Sequence, residues 1–138
     1  VYTAIGAVDL IKELVTMLPV SRYVVLIGLQ SSLFLLGMVL DPGGIIMICT
    51  PVFVPLVKSL GFDPVWFGVL FIVNMEMAYL TPPFGFNLFY MKTIVPTDVT
   101  MMDIYRSIIP FVLLQLLTLI LLIFFPQIVM WLPNLLIK

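Results

Sequence analysis

The sequence predicts an all-α membrane protein, and three observations lead to that prediction. Of its 138 residues, 63% are hydrophobic and 9% are charged, whereas soluble domains carry about 25% charged residues. The mean hydropathy is +1.28. The stretches 23–57, 64–91 and 107–137 each carry one charge or none, and a membrane-spanning helix needs about 20 apolar residues. We therefore expect a multi-pass protein of the lipid bilayer.

The composition also argues against several classes of function. The net charge is −1 and there is no basic patch, so nothing points to a nucleic-acid partner. Histidine is absent, which argues against histidine-based acid–base catalysis and histidine-ligated metals. Cys49 is the one cysteine, expected to be a small buried residue. With no paired aspartates and no G-x-S-x-G motif, we expect no enzyme, no catalytic residue and no cofactor.

Residues 1–21 are expected to form an amphipathic arm. Within them, residues 3–18 have the pattern of a helix that ends at Pro19. Its charged residues lie mostly on one face, and the opposite face carries Ile5, Val8, Ile11, Leu14, Val15 and Leu18. Such a helix beside membrane segments would lie along the interface. A plain linker helix is the alternative.

Residues 22–60 and 64–95 are apolar enough for membrane helices, but each contains helix breakers. The first is interrupted at Asp41-Pro-Gly-Gly44 and the second at Thr81-Pro-Pro-Phe-Gly85. Proline inside a helix removes a donor and costs about 3 kcal/mol or more. Since the flanking sequences are good helix formers, both interruptions are expected to lie inside the membrane segments.

The residues at these breaks predict where new helices begin. An acid or a hydroxyl followed by proline is a preferred helix start, and the chain has this pattern at Asp41-Pro42, Asp63-Pro64 and Thr81-Pro82. We therefore expect helices to end near Leu40 and Leu80. The helices that follow them should begin at Pro42 and at Pro82 or Pro83.

Residues 100–133 are expected to form a final transmembrane helix. Thr100 and Asp103 have the spacing of a capping box, which marks its start. The span itself covers roughly residues 104–132. Pro110 and Pro126 are expected to kink it.

Interrupted helices in a membrane have a chemical consequence. Each break exposes carbonyl groups on one side and amide groups on the other, and in lipid such groups cost several kcal/mol each unless they are satisfied. Free carbonyls suit a cation such as sodium, whereas free amides at a helix N-terminus suit an anion. Two discontinuous helices that meet inside the membrane are typical of a secondary-transporter site.

The stretch "LDPGGIIMICTPVFVPLVKSLGFDPVWFGVLFIVNMEMAYLTPPFGFNLFYMK" resembles the C-terminal part of the large membrane subunit of TRAP transporters (tripartite ATP-independent periplasmic transporters). The following stretch "TMMDIYRSIIPFVLLQLLTLILLIFFPQIVMWLP" is similar to the final helix of the same family. The resemblance covers nearly all of residues 22–133. It implies the second of two inverted repeats, which is one half of an elevator-type transporter.

The resemblance also implies an architecture and partners. Residues 1–21 would be the interfacial arm helix, and residues 22–60 a re-entrant hairpin with its tip near 37–44. Residues 64–95 would be a discontinuous helix broken at 81–85, and residues 100–133 the final helix. The family imports organic acids with sodium across the bacterial inner membrane: C4-dicarboxylates, keto acids, and sialic or other sugar acids. Its partners are a small membrane subunit and a periplasmic binding protein that delivers the substrate.

The interruptions supply the candidate sodium ligands, because hard cations take oxygen ligands. The sodium-binding candidates are the carbonyls near Gly37, Leu40 and Ala78, the hydroxyl of Thr81, and the adjacent Asp41 and Pro82. Thr81 and Asp41 are equally open to a capping role alone.

The substrate-binding candidates lie beside the sodium candidates at the two breaks. They are Gly43, Gly44, Pro83, Gly85 and Asn87, because glycine allows close approach of a ligand to the backbone. Helix packing is the alternative for the glycines. Glu76, Asn74 and Gln30 are polar residues in apolar segments, and structural hydrogen bonding is the alternative to a functional role for them.

Two other functions remain open from the sequence. One is a related sodium-coupled anion or dicarboxylate symporter that needs no binding protein. The other is a non-transporting structural subunit of a membrane complex, in which the broken helices only pack against partners. The sequence does not predict which organic acid is carried, because the other repeat is expected to supply the remainder of the site.

Overall fold

The structure is a computed structural model that describes residues 13, 21–83 and 85–136. This described part is helical and contains no strand, which confirms the all-α prediction. Its helices are α1 (Arg22–Gly37), α2 (Pro42–Ser59), α3 (Pro64–Tyr79), α4 (Phe86–Ile94), α5 (Met101–Phe124) and α6 (Pro126–Leu136). The amphipathic helix expected over residues 3–18 lies outside the described residues, apart from Glu13.

Three helices begin where a polar cap was expected. At α2, the Asp41 carboxylate accepts a hydrogen bond from the Gly44 amide at 3.0 Å. At α3, Asp63 accepts from the amides of Val65 and Trp66 at 2.7 and 3.2 Å. At α5, both halves of the predicted capping box are present. These side chains replace the partners that the first amides of a helix lack.

The start of α4 differs from the prediction of Pro82 or Pro83, because the helix begins at Phe86. The hydroxyl of Thr81 does not cap the new helix and instead donates to the Met77 carbonyl at 2.8 Å. Gly85 precedes α4 in the left-handed region, at φ +43°, which favours glycine. Thr81 therefore bonds back to the last turn of α3, which ends at Tyr79, and not forwards to α4, which begins at Phe86.

The structure also divides the single helix expected over residues 100–133. Helix α5 ends at Phe124, and α6 begins at Pro126. Proline disfavours the helical conformation in the residue before it, and Phe125 has φ −121° and ψ +70°. Pro110, in contrast, stays inside α5.

The break at Pro126 is stabilised by a side chain from α3. In a continuous helix, the Leu122 carbonyl would accept from the amide of residue 126, but proline has no N–H group. The buried indole Nε1 of Trp66 donates to this carbonyl at 2.8 Å instead. Trp66 thus supplies the donor that Pro126 lacks and connects α3 to the end of α5.

Helix α3 is the centre of the described structure. It packs against α1, α2, α4, α5 and α6. Its buried residues include Trp66, Phe67, Leu70, Met75 and Ala78. They cover more than half of its circumference, and an exposed stripe that includes Ile72 and Glu76 lies on the remaining side. The position of α3 therefore fixes the position of its C-terminal interruption relative to the other helices.

The outer helices have the character of membrane segments. By length and hydropathy, α2 and α5 are long and apolar enough to cross a membrane, while α1 and α3 are apolar but shorter. Large apolar side chains on α5 and α6 are exposed, among them Phe111, Leu113, Leu114, Phe124 and Trp131. Such a surface requires lipid or protein against it.

We predict that Trp66→Phe lowers the stability of the complete permease by about 1–2 kcal/mol, because the Leu122 carbonyl then stays buried without a donor. Adding Pro126→Ala should recover part of the loss, since the new amide can donate to the same carbonyl. Thermal unfolding of the purified protein in detergent measures both effects. Trp131→Phe, at an exposed tryptophan, is the control. Equal loss with and without Pro126→Ala would contradict this account.

Candidate functional site

The two helix interruptions lie against each other. A Cβ atom added to Gly37, at the end of α1, would lie 2.6 Å from the Ala78 Cβ atom and 3.0 Å from the Met75 Cε atom. Both neighbours belong to the last turns of α3. No side chain fits in this space, so the ends of α1 and α3 approach each other closely because residue 37 is glycine.

The first interruption leaves carbonyl groups available at this contact. After α1, the amides of Met38 and Leu40 donate to Phe34 and Leu36 at 3.1 and 2.8 Å. Among the described residues, no backbone amide donates a hydrogen bond to the carbonyl oxygen of Gly37 or of Leu40. These oxygens are therefore free to accept another partner, as carbonyls at a helix C-terminus commonly are.

The second interruption offers further oxygen atoms. The Thr81 amide donates to the Ala78 carbonyl at 3.0 Å. Pro82 and Pro83 have no N–H group, so neither can continue the helical bonding. The Thr81 hydroxyl donates its hydrogen bond to the Met77 carbonyl. The lone pairs of the hydroxyl oxygen therefore remain available to a cation.

Asp41 has a local structural role at the first interruption. The side chain is exposed and caps α2. Cβ atoms added to Gly43 and Gly44 would lie 3.1 and 3.0 Å from its carboxylate oxygens. The two glycines therefore give the carboxylate room to reach the Gly44 amide.

The remaining substrate-binding candidates surround the start of α4. Pro82, Pro83 and Asn87 are exposed, whereas Gly85 is buried. A Cβ atom on Gly85 would lie 2.8 Å from Leu88 Cδ1. Asn87 lines a cleft of about 410 Å³ between α4 and α5. No side chain caps the N-terminus of α4. The Leu88 amide donates to the Gly85 carbonyl at 2.7 Å, whereas the amides of Phe86 and Asn87 have no acceptor among the described residues.

Two residues of the contact were missed from the sequence. Met75 packs against Gly37, and the Met77 carbonyl orients the Thr81 hydroxyl. Methionine carries no chemistry that marks a site, and only the three-dimensional contact reveals these roles.

Gln30 and Asn74, which the sequence singled out as polar residues in apolar helices, form a buried pair. Asn74 Nδ2 donates to the Gln30 carbonyl and Oε1 atoms at 2.6 and 2.7 Å.

Comparison with known proteins identifies the family. The family model described as "Tripartite ATP-independent periplasmic transporter, DctM component" matches residues 1–128. The chain is 33% identical over 124 residues to the C4-dicarboxylate TRAP transporter large permease protein DctM of Pseudomonas aeruginosa. The matched residues are 90% of the chain and 29% of that protein. No solved structure matches the chain.

Relatives named for other substrates match similarly. The 2,3-diketo-L-gulonate TRAP transporter large permease protein YiaN of Escherichia coli is 33% identical over 121 residues, which are 88% of the chain and 27% of that protein. The ectoine TRAP transporter large permease protein TeaC of Halomonas elongata is 35% identical over 111 residues, or 80% of the chain and 26% of that protein.

The chain spans less than a third of the length of these relatives. They are named as transporter permeases and not as enzymes. With the family model matching residues 1–128, the conclusion is that the chain belongs to the DctM component of the tripartite ATP-independent periplasmic transporters, the large permease subunit.

Proposed function

We propose that the chain carries one half of the sodium and substrate site of a permease that imports organic acids. The observation that carries this proposal is the contact between the two interruptions, where Gly37 lies against Ala78. Breaks in membrane helices persist where they line a cavity or bind a ligand. The chain would act only within the complete permease.

Sodium is proposed to bind the oxygen atoms at this contact. The candidates are the carbonyls of Gly37, Leu40 and Ala78 and the hydroxyl of Thr81, which are the uncharged oxygen ligands that hard cations accept. No group of three or more acidic, cysteine or histidine side chains that could hold a metal occurs in the described ranges.

The substrate is proposed to be an organic acid. Two of the relatives are named for acids, a C4-dicarboxylate and 2,3-diketo-L-gulonate, while another is named for ectoine. A carboxylate could be held at the N-terminus of α4, whose amides have no side-chain cap and carry the positive end of the helix dipole. Pro83, Gly85 and Asn87 lie at this end.

The complete permease is proposed to work in the bacterial inner membrane with a small membrane subunit and a periplasmic binding protein. The family's description as tripartite and periplasmic supports these partners. In this proposal, α1 and α2 form a re-entrant hairpin. Together with α3 and α4, this hairpin moves as one elevator unit.

We predict that Thr81→Val in the complete permease raises the sodium concentration for half-maximal uptake about tenfold or more, since contact of a polar oxygen with a charge is worth about 1.5–3 kcal/mol. Thr118→Val is the matched control, because the Thr118 hydroxyl makes the same type of bond to Leu114 at 2.8 Å on exposed α5. Thr81→Ser should keep near-normal sodium dependence. Unchanged sodium dependence in Thr81→Val would exclude Thr81 as a ligand.

We predict that Gly37→Ala abolishes most sodium-coupled uptake, because the new methyl group overlaps Ala78 and overpacking costs about 1–3 kcal/mol. The second substitution Ala78→Gly removes the Cβ atom that the new methyl group would overlap, and it should restore part of the uptake. Uptake into proteoliposomes measures both variants. Gly28→Ala is the control, since a Cβ atom there meets nothing within 4 Å. Normal uptake in Gly37→Ala would contradict the close contact.

We predict that uptake by the complete system requires both a sodium gradient and its periplasmic binding protein. Reconstituted permease should show little uptake when either is omitted. Uptake that persists without the binding protein would favour a symporter working alone. An assembled complex with neither uptake nor sodium-dependent binding would favour a structural subunit.

A further inference from the structure

A buried pair of carboxamide side chains joins the two helices that end in interruptions. Asn74 Nδ2 on α3 donates to the Gln30 carbonyl on α1 at 2.6 Å and to Gln30 Oε1 at 2.7 Å. Gln30 is 5% exposed and Asn74 is 1% exposed. In the described ranges, no other side-chain hydrogen bond joins α1 to α3. The pair is therefore a directional connection between these two apolar helices.

The pair lies close to the contact of the two interruptions. Asn74 is one turn before Ala78, and Gln30 is two turns before Gly37. These separations are about 6 and about 10 Å along the helix axes, at a rise of about 1.5 Å per residue. Both helices are continuous from the pair to the contact, so a shift of α1 along α3 at the pair would also occur at the interruptions.

The contact itself does little to fix the position of α1 along α3. Gly37 has no side chain that could fit between residues of α3, and Ala78 presents a single methyl group. Hydrogen bonds, in contrast, depend on distance and direction, and fixing the register of packed helices is the best-attested role of a buried polar group. The carboxamide pair is therefore suited to set this register.

Stability is a poor explanation for the pair, because its hydrogen bonding is incomplete. Gln30 Nε2 and Asn74 Oδ1 are buried and have no hydrogen-bond partner among the described residues. Burying such atoms costs free energy. Replacing both partners of a buried polar contact by apolar groups of the same shape can be nearly neutral or stabilising. A pair that is costly in this way points to a role other than stability.

We propose that Gln30 and Asn74 are positioning residues for the proposed sodium site. Their hydrogen bonds hold α1 and α3 in the register that brings the carbonyls of Gly37 and Leu40 to the hydroxyl of Thr81. Neither residue of the pair touches the ion. This inference rests on the proposed function, since it assigns the pair to the geometry of the same site.

The first test compares stability with sodium dependence in the complete permease. Gln30→Met with Asn74→Leu removes the polar pair and keeps the side-chain length and branching. The melting temperature should stay unchanged or rise. The sodium concentration for half-maximal uptake should rise about threefold or more, the factor that a typical hydrogen bond between membrane helices is worth. Unchanged sodium dependence, or a clear fall in melting temperature, would overturn the proposal.

Gln115→Met is the matched control for this variant. Gln115 also has a carboxamide oxygen that is buried without a partner among the described residues, but it lies on α5. Its substitution should leave sodium dependence unchanged, and an equal rise in both variants would overturn the proposal. If the added volume of leucine prevents folding, Gln30→Met with Asn74→Ala makes the same comparison without added volume at position 74.

The register can also be measured independently of transport. In density maps of the complete permease at one sodium concentration, Gly37 should be displaced along α3 in the apolar variant by about 1.5 Å or more, the rise of one residue. An identical contact of Gly37 with Ala78 in variant and wild type would overturn the proposal. If wild-type uptake does not depend on sodium, the proposed function fails, whereas this displacement still decides whether the pair sets the register.

Discussion

The structure depends on one constraint, which is that backbone polar groups inside a membrane need partners. This chain satisfies the constraint in a different way at each break. At Pro126, the indole of Trp66 replaces the missing amide donor to Leu122. At Asp41, a carboxylate caps the new helix. Where Gly37 meets Ala78, the carbonyl oxygens of Gly37 and Leu40 receive no hydrogen bond among the described residues. This contact joins the ends of two interrupted helices, α1 and α3.

The same constraint separates the roles of the two polar features in the fold. Backbone oxygens near the interruptions are suited to a cation, which needs several oxygen ligands and no specific donor. The Gln30–Asn74 pair is a buried hydrogen-bonded contact between α1 and α3, which connects the two helices that carry the interruptions. Both features adjoin α3, so the contact of the interruptions and the polar pair depend on the same helix.

Local chemistry made much of the fold predictable. Aspartate before proline marked the starts of α2 and α3, and the capping box marked α5, because these signals act within a few residues. The start of α4 was not predictable, since the Thr81 hydroxyl can bond either forwards or backwards and the structure has it bonded to Met77. Trp66 and Leu122 are 56 residues apart, and no local pattern connects them. In the proposed function, the rest of the site comes from the other repeat, so these residues alone do not predict it.

The most direct test of the central claim is a density map of the complete permease, recorded once in sodium and once in choline. The account predicts a sodium-dependent peak in contact with oxygen atoms from both interruptions, including a carbonyl near Gly37 and the hydroxyl of Thr81. A sodium-dependent peak elsewhere, with this contact identical in the two maps, would contradict it.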